Sequence, residues 1–198
     1  MRHVKEKKER ALGVKLFLKA DRCNSPKCVM VRRPYRPGQH GQRRTNVSEY
    51  GKQLHEKQKI QIYFGLNNHQ MRRLFLGSKS RVKEILLQRL DSVVFLLGVA
   101  KSSRIARQLI SHGHILVNGR KVTIPSYRVT IGNTIAVRPQ SRALKIFEGF
   151  KEQQKQYTPP SWLAVEEGKL EGKCVASSAE DDTQFPFDIE LVAQFYAR

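Results

Sequence analysis

The chain lacks the features that mark membrane and secreted proteins. Its longest apolar run, VVFLLGVA at Val93–Ala100, is far too short to span a bilayer. The first residues, MRHVKEKKER, are basic but are followed by no apolar segment, so they do not resemble a secretory signal. The three cysteines, Cys23, Cys28 and Cys174, form an odd and small set that is typical of free thiols in a reducing compartment. We therefore expect a cytoplasmic protein that contacts no membrane.

Acidic residues are also scarce. The sequence has 17 Asp and Glu against 37 Lys and Arg, which gives a formal charge of +20. The charge is unevenly spread, because residues 161–198 hold eight acidic and three basic residues and residues 1–160 carry the whole surplus. A surplus of this size favours a polyanionic partner. Nucleic acid is the interpretation that we prefer over an anionic membrane or an acidic protein.

Catalytic motifs are missing as well. The sequence contains no G-x-S-x-G elbow, no P-loop and no G-x-G-x-x-G before a helix. HGHI at 112–115 differs from the nucleotide-binding H-x-G-H motif, because its glycine stands one place early. No pair of acidic residues in the basic region suggests acid–base chemistry. We therefore expect neither an enzyme nor a small-molecule substrate.

The evidence for a metal is thin. Cys23 and Cys28 have the spacing of half a tetrahedral zinc site, and His40 is a third candidate ligand. A structural zinc needs four donors, and no second cysteine pair lies nearby. His112 and His114 stand one residue apart without cysteine or carboxylate neighbours. We expect no cofactor and no zinc, with Cys23 and Cys28 as weak candidate ligands.

Local patterns divide the chain into three regions of an α+β fold. Residues 1–44 are basic and rich in Pro and Gly, which predicts an irregular segment that carries arginines outward. Residues 45–88, joined by 151–198, predict a mostly α-helical domain. Residues 89–150, inserted between these parts, predict two helices followed by a small antiparallel sheet.

Several residues mark the predicted element ends. Ser48 is placed to cap the helix that follows it, and Gly65 to end that helix. Ser102 or Ser103 is placed to cap the second helix of the inserted region. Asn-Gly at 118–119 predicts a type I′ hairpin turn. This hairpin would place its basic tip beside the arginines of the preceding helix, where lysine and arginine can contact RNA phosphates.

The sequence resembles a known family. RLDSVVFLLGVAKSSRIARQLISHGHILVNGRKVTIPSYRVTIGNTIAV resembles the S4-type RNA-binding domain. That domain also occurs in pseudouridine synthases, some tyrosyl-tRNA synthetases and a heat-shock ribosome-recycling protein. The remaining segments KLFLKADRCNSPKC, RRPYRPGQHGQRR, SEYGKQLHEKQKIQIYFGL and FYAR resemble the bacterial-type S4 family of small-subunit ribosomal proteins, so the resemblance covers essentially the whole chain.

The resemblance implies a primary binder of 16S ribosomal RNA. Such a protein grips a multi-helix junction in the 5′ domain and nucleates assembly of the small subunit. It lies near the mRNA entry channel, where it is relevant to translational accuracy, and it contacts ribosomal protein S5 and other small-subunit proteins. The implied location is the small ribosomal subunit in the cytoplasm, with an organellar ribosome as the alternative.

The residues expected to bind RNA come from four stretches of the chain. The first group comes from RRPYRPGQHGQRR at 32–44, which we call the arginine-rich loop. In this loop Arg43 and Arg44 are the residues matched to the mRNA channel. We expect RNA contacts from Arg32, Arg33, Arg36, Gln39, His40, Arg43, Arg44, Tyr50, Lys52, Gln53, Lys57, Arg72, Arg73, Lys101, Arg104, Arg107, Gln108, His112, His114, Asn118, Arg120 and Lys121.

Two departures from the family pattern bear on function. Zinc-bearing members carry a C-x-x-C pair before the glycine that corresponds to Gly13, and those two positions are Glu6 and Glu9 here. Asn46 stands where some relatives carry a further mRNA-entry arginine. The alternative functions are a stand-alone S4-domain factor that acts on ribosomes or modifies RNA, and an adaptor for acidic proteins.

Overall fold

Two units divide the chain, one comprising residues 1–82 and 184–198 and the other residues 83–183. The structure, a computed structural model, describes residues 5–43, 46–77, 81–147, 157–165, 170–178 and 185–197. None of the helices in these ranges combines the length and the apolar character that a membrane crossing requires.

The N-terminal part of the first unit is more regular than the sequence predicts. It contains three short helices, α1 (Lys5–Leu12), α2 (Ala20–Cys23) and α3 (Val29–Arg32). Helices of four to eight residues do not persist alone in water, because nucleation is unfavourable. They form here around a small buried core, whose members are Leu16, Leu18, Cys23 and Cys28. The expectation of an irregular segment therefore needs correction for these stretches.

A buried carboxylate organises this small core. Glu9 is 1% exposed, and its Oε1 atom accepts hydrogen bonds from the backbone N–H groups of Leu16 at 2.9 Å and Leu18 at 3.3 Å. Phe17, between them, has a left-handed φ of 52°. Successive N–H groups that turn toward one anion form a concave nest. The Glu9 carboxylate fills such a nest, which explains how a non-glycine residue is held in a strained conformation.

Longer helices complete the first unit. They are α4 (Glu49–Phe64), α5 (Asn68–Gly77) and the C-terminal α9 (Ile189–Tyr196). Helix α9 packs against both others, with the Phe75 and Tyr196 rings stacked at a centroid distance of 5.4 Å. Helix α9 and the N-terminal segments therefore belong to the same unit, although they are far apart in the sequence.

Capping residues set both ends of α4 as predicted, and the structure adds a cap at the start of α9. The Ser48 hydroxyl accepts a hydrogen bond from the Gly51 N–H at 3.2 Å and begins α4. Gly65 ends α4 with a left-handed φ of 61°. Asp188 begins α9, where its Oδ1 atom accepts hydrogen bonds from the Glu190 N–H at 2.8 Å and from the Leu191 N–H at 3.2 Å.

The second unit combines helices with an antiparallel sheet. It holds most of α6 (Val82–Leu87), then α7 (Leu90–Leu96) and α8 (Ser103–Ser111), which pack against each other. The described strands follow the order β2-β1-β3-β5-β4. Their bounds are β1 Ile115–Val117, β2 Arg120–Lys121, β3 Thr134–Val137, β4 Leu163–Val165 and β5 Glu171–Cys174. The predicted α+β class, with two helices leading into a small antiparallel sheet, is confirmed.

The segment 163–174 belongs to this sheet. The sequence interpretation assigns 151–198 to the helical domain, but β5 pairs with β3 (Ile135 opposite Gly172) and with β4. Trp162 and Leu163, expected as a core anchor, are 2% and 4% exposed at the start of β4. Strands as short and polar as EGKC carry little signal of their own. The free edge of β3 supplies the hydrogen bonds that define them.

Candidate nucleic-acid interface

Helix α8 holds basic side chains over an apolar base. The Ser102 hydroxyl accepts a hydrogen bond from the Ile105 N–H at 3.3 Å, which fixes where the helix begins. Leu109 and Ile110 are buried against the rest of the unit. The predicted RNA-binding residues lie on the remaining faces, where Lys101 and Gln108 are exposed and Arg104 and Arg107 are half-buried.

The end of α8 meets the hairpin at Gly113. This glycine is buried and has a left-handed φ of 77°. A methyl group added there would collide with Cε of Lys121, so the lysine side chain lies directly over the turn. The exposed His112 precedes this glycine, and His114 follows it. Lys121 follows the histidines by fewer than ten residues, and the hairpin folds its side chain back onto the glycine between them.

Asn118 shapes the tip of the hairpin. Asn118 and Gly119 have φ of 49° and 76°, which are the angles that the type I′ prediction requires. The Asn118 Oδ1 atom accepts from the Thr134 N–H at 2.8 Å, and its Nδ2 donates to Asn133 at 3.1 Å. Asn118 therefore positions the tip against β3, a role that the predicted RNA contact does not include.

His114 joins the turn to the next segment. Its Nδ1 atom lies 2.9 Å from the Ser141 hydroxyl, which is buried in the 3₁₀ turn Pro139–Ser141. This contact fixes the half-buried imidazole beside the exposed His112, with ring centroids 6.0 Å apart. His114 thus has a positioning role in addition to any contact with RNA.

The hairpin tip carries uncompensated charge. Arg120 and Lys121 are both exposed. Across the part of the chain that the structure describes, neither forms an ion pair with a carboxylate. By contrast, Arg142 pairs with Glu171 at 2.6 Å. The second unit therefore carries basic and polar side chains just before α8, along α8, in the turn after it and at the hairpin tip, and we call this set the α8–hairpin surface (Lys101, Arg104, Arg107, Gln108, His112, His114, Arg120 and Lys121).

In the first unit, Arg10 holds the arginine-rich loop in place. Its Nε donates to the backbone carbonyls of Arg33 at 3.1 Å and Tyr35 at 3.0 Å, and its Nη2 donates to that of Arg36 at 3.3 Å. Its guanidinium also lies 5.0 Å from the centroid of the Tyr35 ring. Arg10 is absent from the predicted residues, because contacts between segments so far apart in the chain leave no local signal in the sequence.

The predicted RNA-binding residues of this loop are mostly at the surface. Those that are exposed are Arg32, Arg33, Gln39, His40 and Arg43, whereas Arg36 is half-buried and Arg44 lies outside the described residues. Arg36 is near His55 of α4. Burial lowers the pKa of His55, and the positive charges of Arg36 and Lys59 lower it further. His55 is therefore neutral at pH 7, so it adds no positive charge to those of Arg36 and Lys59.

Helix α4 exposes two of the four side chains that are predicted there to bind RNA. Tyr50 and Lys52 are exposed, and Lys52 forms an ion pair with Glu49 at 2.5 Å. The Lys57 ammonium lies 4.7 Å from the centroid of the Phe195 ring of α9. Lys57 therefore has a cation–π contact within the protein as well as a half-exposed charge.

The prediction for Gln53 is wrong. Gln53 is 6% exposed, and its Nε2 donates to the Gln194 side chain of α9 at 3.4 Å. A side chain buried between two helices cannot reach RNA. The apolar periodicity of α4 is imperfect, so the sequence does not show that Gln53 lies on its buried face. The helix that covers this face, α9, comes from the other end of the chain.

Arg72 and Arg73 are exposed on α5, in agreement with their assignment to the surface. Arg72 is close enough to Tyr196 to act on its phenol. Burial raises the pKa of Tyr196, and the positive charge of Arg72 lowers it in part. The basic pair therefore borders the aromatic contact between α5 and α9.

The residues present do not fit a zinc ion. The Glu9 oxygen that faces this core is already engaged by two backbone N–H groups. Glu6 pairs with Arg22, whose Nε lies 3.2 Å from Oε1. Burial raises the pKa of the Cys23 thiol. Within the described ranges, no three His, Cys, Asp or Glu residues are grouped so that they could hold a metal ion.

Comparisons with known proteins agree with the geometry. Residues 1–94 match the model described as Ribosomal protein S4/S9 N-terminal domain, and residues 88–135 match the S4 domain. A protein of Halothermothrix orenii named small ribosomal subunit protein uS4 is 46% identical over 193 residues, which are 94% of this chain and 93% of the relative. The chain belongs to the uS4 family. A uS4 protein of Thermus thermophilus is 44% identical over 194 residues, with 94% and 93% coverage, and that of Acetivibrio thermocellus is 43% identical over 193 residues with the same coverage.

Family membership confirms the prediction that the chain is a small-subunit ribosomal protein with an S4-type domain. The matched S4 domain spans α7, α8, the hairpin and the start of β3, which includes the α8–hairpin surface. The relatives are named small ribosomal subunit proteins, and the prediction that this chain is not an enzyme agrees with that family. The individual RNA contacts stay predictions.

Proposed function

We propose that this uS4 chain is a structural protein of the small ribosomal subunit that binds 16S ribosomal RNA directly. The observation that carries this proposal is the α8–hairpin surface, which joins an uncompensated basic hairpin tip to the end of α8 inside a matched S4 domain. The turns at Gly113 and at Asn118-Gly119 fix the backbone that carries these cations before RNA arrives. Preorganised cations lose little conformational entropy on binding, so each phosphate contact contributes more affinity.

The finer assignment is a multi-helix junction in the 5′ domain. RNA junctions are recognised by shape, through phosphates, 2′-hydroxyls and unstacked bases. The α8–hairpin surface offers arginine, lysine, glutamine and histidine for such contacts. The first unit adds a second set of exposed arginines on a loop that Arg10 fixes. A protein that engages several RNA helices at once would stabilise their junction and thereby nucleate assembly of the subunit.

The proposal also assigns a place near the mRNA entry channel and a contact with ribosomal protein S5. The exposed Arg43, together with Arg44, is the candidate for the mRNA side. This placement is the basis for an expected effect on translational accuracy. Its support is the match of GQHGQRR to the family pattern, together with the exposure of Arg43.

A salt titration with junction RNA tests the proposal. Arg120→Ala and Lys121→Ala each remove one exposed cation, so each should lower the slope of log affinity against log salt by about 0.7–0.9. Lys173→Ala is the matched control, because Lys173 is exposed on β5 with β1 and β3 between it and the hairpin strand β2. Three strand spacings are roughly 14 Å, which exceeds the Debye length of about 8 Å. If the hairpin variants match wild type, the assigned surface is refuted.

Sedimentation distinguishes a ribosomal protein from a stand-alone factor that shares the S4 domain. A structural component should remain bound after a high-salt wash, with one copy of the protein for each small subunit. A factor would be released by the wash. A protein adaptor would remain bound to its acidic partner after nuclease treatment.

We also propose that the N-terminal region needs no metal. Glu9 and Glu6 occupy the two positions where zinc-bearing relatives have cysteines, and both carboxylates are bound within the protein. Metal analysis of purified protein should find far less than one zinc per chain. A chelator should leave the urea midpoint unchanged, whereas a midpoint that falls on chelation contradicts the proposal.

A further inference from the structure

Four arginines converge on one cavity in the first unit. The cavity has a volume of about 250 Å³ and is lined by Arg10, Arg22, Val29, Arg32 and Arg33. Three different helical segments supply these residues, since Arg10 is on α1, Arg22 on α2, and the others on or just after α3. No carboxylate is among the described residues that line it.

Internal contacts fix two of the four guanidinium groups. Arg10 is held by the backbone carbonyls of Arg33, Tyr35 and Arg36, as described above. Arg22 is held by Glu6 and by the carbonyl of Lys27, to which its Nε donates at 3.5 Å. Both side chains therefore have partners within the protein before any ligand binds.

The other two arginines are available to a ligand. Arg32 and Arg33 are exposed, and their guanidinium groups have no hydrogen-bond or ion-pair partner among the described residues. Arg22 has Glu6 as a counter-ion, but Arg10, Arg32 and Arg33 have no carboxylate partner among the described residues. Their like charges repel each other around the shared cavity, and this repulsion destabilises the folded state. A bound anion would remove the repulsion. The arrangement is therefore characteristic of a binding site rather than of a solvated surface.

We propose that this cavity binds one phosphate group of the RNA backbone. This inference rests on the proposed function and names a discrete subsite for it. Arginine presents its donors in a planar fork that matches phosphate oxygens, so two free guanidiniums over two fixed ones can surround a single phosphate. Val29 gives the cavity one apolar wall, which suits the ribose attached to that phosphate.

A charge-conserving substitution tests the fork geometry. Arg32→Lys with Arg33→Lys keeps the net charge and removes both forks, and we expect about tenfold weaker binding of junction RNA with an unchanged salt slope. The matched control is Arg128→Lys with Arg142→Lys, because both side chains are exposed and lie against Glu84 and Glu171. The control should bind as wild type. If both double variants bind like wild type, the subsite is overturned, whereas failure of wild type to bind RNA overturns the proposed function itself.

A direct probe distinguishes phosphate from an acidic protein segment. The Nε–H signals of Arg32 and Arg33 can be followed by ¹⁵N NMR, with the lysine variants giving the assignment. Inorganic phosphate should shift both signals, whereas chloride at equal ionic strength and a hexaglutamate peptide should shift them less. A peptide response as strong as the phosphate response, or equal shifts with chloride, overturns the assignment to phosphate.

Discussion

Replacing Glu9 with alanine should destabilise the N-terminal region far more than an acidic substitution usually does. The change leaves the buried N–H groups of Leu16 and Leu18 without their acceptor. An unsatisfied buried donor costs about 1–3 kcal/mol. Two donors give a local loss of about 2–6 kcal/mol, with the larger share from Leu16 because its hydrogen bond is shorter. Such a loss is a large fraction of the stability of a typical domain, which is about 5–15 kcal/mol.

Hydrogen exchange at two amides measures this loss where it occurs. Protection of the Leu16 and Leu18 N–H groups should fall by a factor of about 30 or more in Glu9→Ala, since each 1.4 kcal/mol is about tenfold. Glu9→Gln keeps an oxygen acceptor but removes the charge, so it should lose roughly half as much, because charge-assisted hydrogen bonds are about twice as strong as neutral ones.

Glu6→Ala is the matched control for Glu9→Ala. It removes a carboxylate from the same helix, but its ion pairs involve the half-exposed Lys19 and Arg22. Such pairs contribute about 0–1 kcal/mol, so exchange at Leu16 and Leu18 should change little. Unchanged protection in Glu9→Ala, or equal losses in both variants, would refute the role assigned to the Glu9 carboxylate.

Two further predictions concern a turn and a histidine. Gly119→Ala should destabilise the hairpin by about 1–2 kcal/mol, since Gly119 has φ of 76° and no atom lies where its methyl would go, so strain alone acts. Faster exchange of the Val122 N–H, which donates to the Ile115 carbonyl across the hairpin, measures this loss, and Gly119→Asn, which tolerates the conformation, should lose less. His55 has a lowered pKa in the folded state, so the unfolded chain binds more protons and stability should fall as the pH drops below about 6.5. Urea unfolding between pH values of about 7.5 and 5.5 should show a weaker pH dependence for His55→Gln, and an identical dependence would contradict the assignment.

Short-range signals made much of the fold predictable. Ser48, Gly65 and the Asn-Gly turn at 118–119 act through contacts within a few residues, and each appears in the structure where the sequence predicts it. The basic α8–hairpin surface is predictable for the same reason. The hairpin follows α8 directly, so the chain has little freedom in where it places Lys121.

Contacts between distant segments could not be predicted in this way. The buried position of Gln53 depends on Gln194, and the pairing of β5 depends on the free edge of β3. Local propensity says little about such partners, because the energy of burial or pairing exists only after the second segment arrives.

Charge, caps and turn residues act locally, so the sequence alone indicates a basic α+β protein, and its motifs carry the resemblance to the S4-type RNA-binding domain. The buried position of Glu9 in the N-terminal core and the grouping of four arginines around one cavity appear only in the folded structure. Those arrangements join residues from separate helices. Their energies depend on distances in space that sequence spacing does not define.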